Sequence, residues 1–118
     1  IRNYHLCHLE IPKTIRQVLE TGSILLDNGK LPTASVAAIA KKTLEPGERI
    51  QRGSRNFQIR GEAISISEFP NHVPVGLISD VVIRQKVEPG QMLNFNDIEI
   101  PDSLAKQAWN YTRNLASA

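Results

Sequence analysis

The sequence holds one cysteine, Cys7, so no disulfide can close within the chain, and a lone thiol fits a reducing, cytoplasmic setting. Aromatic residues are scarce at 5%, too few for the stacking platforms that grip single-stranded nucleic acid. Neither sign of charge dominates. Against 12 acidic residues stand 14 basic ones, a net charge of +2, and the longest basic run is the pair Lys41-Lys42. A nucleic-acid partner would call for a basic face, so none is expected. No apolar run is long enough to span a bilayer and nothing resembles a signal peptide, so no membrane partner is expected either. The seven glycines stand at 22, 29, 47, 53, 61, 76 and 90, no two separated by a single residue. The G-x-G-x-x-G turn that lets backbone approach a pyrophosphate is therefore missing, as is the P-loop. No cofactor-binding residue is assigned to this chain.

What is present suits one small domain: 118 residues, of which 41% are apolar, can bury a core. That length cannot also hold a dinucleotide-binding domain and a substrate domain. The chain opens at Ile1, without methionine, in sequence that reads as ordered, so a longer parent protein is expected. Ile15, Val18 and Leu19 share one face of a helix expected over Pro12–Glu20, with Pro12 at its first position and Gly22 just past its end.

From residue 36 short β-type runs alternate with turns: Val36–Ala40, Phe57–Arg60, Ala63–Ile66, Val75–Ile78, Val81–Ile83 and Ile98–Ile100. Two of the turns belong to an internal repeat. Leu44-Glu45-Pro46-Gly47-Glu48-Arg49-Ile50 matches Val87-Glu88-Pro89-Gly90-Gln91-Met92-Leu93 at a constant offset of 43 residues, and the same offset sets Ala38–Lys41 over Val81–Arg84. Two copies are too few for a solenoid. They suit a pseudo-symmetric β unit in which each half buries the apolar face of the other. At the C-terminus, Asp102 or Ser103 can cap a helix over Leu104–Leu115. Leu104, Ala108, Tyr111 and Leu115 follow one face, with Trp109 widening the stripe and Trp109 and Tyr111 as packing anchors. The helix is expected to pack either on this domain or on the rest of the parent, and an exposed face containing them would suggest a subunit contact.

These residues carry a resemblance. Val36–Glu48, Pro74-Val75-Gly76-Leu77, and Arg84–Gln91 followed by Asn96-Asp97-Ile98 resemble the SAF domain of sialic acid synthases, type III antifreeze proteins, sugar-acid dehydratases and pilus or flagellar assembly chaperones. The resemblance implies a mainly β, β-clip fold with an N-terminal and a C-terminal helix at its flanks. Its parts would be a lead-in strand and helix at 1–35, the SAF-like unit at 36–101 and the helix at 102–118. Tyr4–Pro12, followed by a helix and then an SAF segment, is similar to the C-terminal part of homoserine-dehydrogenase-like and deoxyxylulose-phosphate-reductoisomerase-like oxidoreductases. That implies a non-catalytic C-terminal accessory domain that closes a substrate site or mediates homo-oligomerisation. NAD or NADP and the hydride-transfer chemistry would then belong to the rest of the parent chain.

Few side chains could carry chemistry. Tyr4, His5, Cys7, His8 and Glu10 lie together in sequence; they read first as satisfied or solvent-exposed side chains, and against a parent catalytic domain they would line its active site. On a helical turn His5 and His8 face together; on a strand His5 and Cys7 share a face. The only other histidine is His72, so no metal site is expected, and Cys7 reads as a structural thiol rather than a nucleophile. Arg52 and Arg55 flank Gly53 and, with Lys42, would pair with a carboxylate ligand if the domain binds a sugar acid, the alternative to the accessory role. An assembly chaperone is the third reading. No catalytic residue is assigned.

Overall fold

The computed structural model describes residues 7–23, 31–51 and 57–116. It divides the chain into two units, Ile1–Lys30 and Leu31–Ala118. In the first, helix α1 spans Cys7–Thr21 and contains Pro12. The expected start at Pro12 is therefore corrected, and the segment from Cys7 onward is helix, not strand. The pattern of the apolar residues explains the extension: Ile11, Ile15 and Val18 follow i, i+4, i+7 straight through the proline. Proline's φ is already helical, and its cost here is the missing N–H that would answer the His8 carbonyl. The helix stops as the sequence predicts. Gly22 takes φ 65° and its N–H bonds the Val18 carbonyl at 2.9 Å, while the Thr21 hydroxyl donates to the Gln17 carbonyl at 2.8 Å.

The second unit is a small α+β arrangement of short antiparallel sheets and one helix. β1 (Ala34–Ala40) pairs with β3 (Ile59–Ser65), and β2 (Arg49–Ile50), β4 (Val81–Ile83) and β5 (Ile98–Glu99) form a second sheet in the order β2-β4-β5. Phe57–Arg60 and Ala63–Ile66, expected as two strands, are one strand running through Gly61. Val75–Ile78, expected as a strand, instead opens with a single 3-10 turn at Val75–Leu77. Pro74 starts that turn at φ −60° with no N–H to give a ladder, and Gly76 weakens any extended alternative.

The repeat is a structural pseudo-twofold. Leu44 and Val87, which correspond at the offset of 43, bond each other: the Leu44 N–H reaches the Val87 carbonyl at 2.9 Å and the Val87 N–H returns to Leu44 at 3.1 Å. Gly47 donates to the Ile83 carbonyl at 2.8 Å, and its counterpart Gly90 donates to Ala40, the counterpart of Ile83, also at 2.8 Å. Ile83 N–H to Glu48 and Ala40 N–H to Gln91, both 2.9 Å, repeat the relation. Each half thus supplies the ladder partner of the other half's strand. The correspondence continues into β3 and β5 after a shift of four residues: Lys41 N–H bonds Gln58 and Arg84 N–H bonds Asp97, both at 2.7 Å. The longer connection in the first half, between Ile50 and Gln58, absorbs the shift.

The core obeys the same symmetry. Ala38 and Val81, Ala40 and Ile83, Leu44 and Val87, Ile50 and Leu93 are four corresponding pairs, and all eight side chains are buried in one cluster. The two Glu-Pro-Gly turns use glycine for the reason the sequence suggests, since Gly47 and Gly90 take φ 87° and 83°. Helix α2 (Leu104–Ala116) follows β5, and the Ser103 hydroxyl accepts the Lys106 N–H at 3.1 Å. Its anchor is Trp109, packed against the core. The apolar stripe faces water: Leu104 is 83% and Tyr111 68% exposed. Of the two packings the sequence left open for the stripe, the one against this domain is not adopted, and Tyr111 does not anchor the helix to it.

Candidate functional site

Of the N-terminal candidates, Tyr4 and His5 lie outside the described residues. Cys7 opens α1, His8 is exposed one residue on, and Glu10 is half-buried in the first turns. Among the described residues no group of three or more His, Cys, Asp or Glu side chains converges as metal ligands would. Arg52 and Arg55 also lie outside the described residues. Lys42 does not stand ready for an incoming carboxylate. Its ammonium donates to Glu48 Oε1 at 3.0 Å, and Gln58 Nε2 donates to the same oxygen at 3.0 Å. The Lys42 hydrogen bond is the main reason the Glu48 carboxyl sits below the usual carboxylate range.

The link from β5 to α2, Ile100–Ser103, is flanked by two grooves. One, of about 410 Å³, is lined by Arg84, Phe95, Ile98, Glu99, Ile100, Pro101, Asp102 and Lys106. Its charges cancel in place: Arg84 Nη2 meets Glu99 at 3.2 Å, and Lys106 Nζ meets Asp102 at 2.9 Å and the Ile100 carbonyl at 2.9 Å. Lys106 holds the Asp102 carboxyl below its ordinary value. An anionic ligand would have to break one of these pairs to gain another. The second groove, about 340 Å³, runs past Leu77, Ser79, Asp80, Pro101 and Ser103. Ser79 Oγ lies 3.4 Å from Asp80 and no lining residue offers a basic nitrogen side chain, so a serine nucleophile there would lack its base.

The polar group with the strongest structural placement is one the sequence did not single out. His72 is fully buried. Its Nδ1 donates to the Phe69 carbonyl at 2.6 Å, because a carbonyl only accepts, and its Nε2 meets Ser35 Oγ at 2.8 Å. The Trp109 ring stands edge-on at 5.2 Å. The imidazole ties β1, the Phe69–His72 turn and α2 together. Both ring nitrogens are used, which makes it a structural tie. Nothing in the flanking Asn71 and Val73 signals this in sequence; the partners come from residues 35 and 109.

A scan against models of known protein families matches none, and no curated protein matches the sequence. The chemistry available is therefore that of the residues themselves: internally neutralised ion pairs, a satisfied buried histidine, and apolar helix faces left in water. α1 exposes Ile11 (56%), Ile15 (54%) and Leu19 (80%), and α2 exposes Leu104, Tyr111 and Leu115.

Proposed function

We propose that this is a non-catalytic accessory domain of a cytoplasmic NAD(P)-dependent oxidoreductase, with its Leu31–Ala118 unit a β-clip of the SAF kind. The observation that carries the accessory role is the exposed stripe Leu104–Ala108–Tyr111–Leu115 on α2. A helix whose apolar stripe is turned outward, while Trp109 packs against its own core, has a face available for another body. The catalytic region of the same enzyme is the partner in this reading, and the domain closes over its substrate site. The SAF assignment is supported by the two Glu-Pro-Gly units exchanging ladder bonds about a pseudo-twofold. Nicotinamide binding and hydride transfer belong to the partner region.

The test is kinetic. In the oxidoreductase that carries this domain, Leu104→Glu with Tyr111→Glu is expected to raise KM or lower kcat about tenfold or more, as loss of site closure would. The isolated domain is expected to show no turnover of NADH or NADPH. Turnover by the isolated domain, or an enzyme indifferent to both substitutions, would refute the reading.

A further inference from the structure

Among the described residues, one edge of β3 has no strand paired with it. The bonds from Lys41 N–H to Gln58 at 2.7 Å and from Ile66 N–H to Thr33 at 3.0 Å set the phase of the β1–β3 ladder. By alternation, Arg60, Glu62 and Ile64 direct their backbone groups at β1. Those of Ile59, Gly61 and Ala63 point the other way, and among the described residues no strand pairs with them. Arg60 through Ala63 are exposed.

We propose that a second copy of this chain docks here, β3 against β3, antiparallel about a twofold axis at Gly61. In that register Gly61 exchanges both bonds with the partner's Gly61, and Ile59 and Ala63 exchange theirs with the partner's Ala63 and Ile59. Every outward N–H and C=O of the three residues is then satisfied.

Charge selects this register. Arg60 falls opposite the partner's Glu62, and Glu62 opposite the partner's Arg60, in the non-hydrogen-bonded pairs where Cα atoms approach to about 4.5 Å. A slide of two residues one way sets Arg60 against the partner's Arg60. The opposite slide sets Glu62 against the partner's Glu62. Both are like-charge juxtapositions. A slide of one residue brings groups already bonded to β1 to the seam. Within one strand Arg60 and Glu62 already form an ion pair, each about half exposed, so the dimer extends two pairs into a four-charge cluster. An ion pair in water is worth little by itself; its part is to choose the pairing.

The other face of the strand agrees. A Cβ on Gly61 would lie 2.7 Å from Val36 Cγ1 and 3.6 Å from Val75 Cγ1, so these two valines roof the glycine on the side where it has no side chain. They are 46% and 36% exposed. Docking brings them beside the same valines of the second copy, on the face opposite the charges. This inference stands on the sheet edge alone and is independent of the proposed oxidoreductase context.

Sedimentation equilibrium of the 118-residue chain over a range of concentrations tests it. The expected result is a monomer–dimer equilibrium. Arg60→Glu and Glu62→Arg each create only like-charge pairs, and each is expected to weaken the dimer about tenfold or more. The double swap R60E/E62R, and an equimolar mixture of the two single variants, are expected to restore it, since both rebuild opposite pairs. Ala63→Pro removes an outward N–H that pairs with no strand among the described residues, and is expected to weaken the dimer while the circular-dichroism spectrum is kept. A chain that stays monomeric at every concentration, or a dimer unmoved by the single reversals, overturns the proposal.

Discussion

At the scale of single residues, the turns and the cap were open to reading because their reasons are local. Gly47 and Gly90 sit where backbone φ is positive, and a Pro-Gly pair announces that wherever it occurs. Ser103 accepts the Lys106 N–H, the bond a helix start lacks without a capping side chain. Ser103→Ala is expected to cost about 1 kcal/mol, read as a shift of the urea midpoint at unchanged slope. His72 was not legible. Its burial depends on Ser35 and Trp109, both more than thirty residues away along the chain, and no local pattern encodes that meeting.

At the scale of elements, periodicity located both helices but left open what the apolar face of α2 would meet. The i, i+4, i+7, i+11 stripe on α2 is real, yet the helix turns it to water and packs through Trp109. Periodicity reports that a helix has an apolar side; it does not say which neighbour will be there to meet it. The His72 ring edge and the core beneath it offer a site for one large ring, and Lys106, bonded to the Ile100 carbonyl, fixes the rotation of the first turn. Trp109→Ala is accordingly expected to cost about 3 kcal/mol. Tyr111→Ala, at an exposed position, is expected to stay within about 0.5 kcal/mol of the parent. Equilibrium urea unfolding of the two variants separates the observed packing from the sequence expectation. In α1 the start was misplaced, because a rule about proline outweighed a stripe that runs through Pro12 unbroken.

At the scale of the whole molecule, the described charges meet in local pairs of a lysine or arginine with a carboxylate. Glu48, Glu88 and Asp102 are held below their ordinary range chiefly by hydrogen bonds from Lys42, Lys86 and Lys106. A carboxyl whose folded pKa is depressed adds stability above its unfolded pKa and loses it as pH falls through the folded value. Lys86, raised mainly by the hydrogen bond it donates to Glu88, adds stability below its unfolded pKa and loses it as alkaline pH passes the folded value. Stability is expected to be level near neutrality and to decline below about pH 4, by a modest amount because the pairs face water. Lys42→Met should shrink the difference between urea midpoints at acid and neutral pH, and salt near 0.5 M should shrink it further.

The same whole-molecule view separates what the chain dictated from what folding decided. The sequence alone determined that there are two related halves, because corresponding residues at a constant offset must make corresponding contacts if either half folds. It also determined the Glu-Pro-Gly turns, the end of α1 and the start of α2, all of which rest on backbone chemistry within a few residues. Only the tertiary structure decided that the halves trade ladder partners across Leu44 and Val87, that α2 shows water its longest apolar stripe, and that β3, among the described residues, ends its sheet with an open edge. Those outcomes depend on which distant surfaces meet, and a side chain's hydrophobicity does not specify its partner.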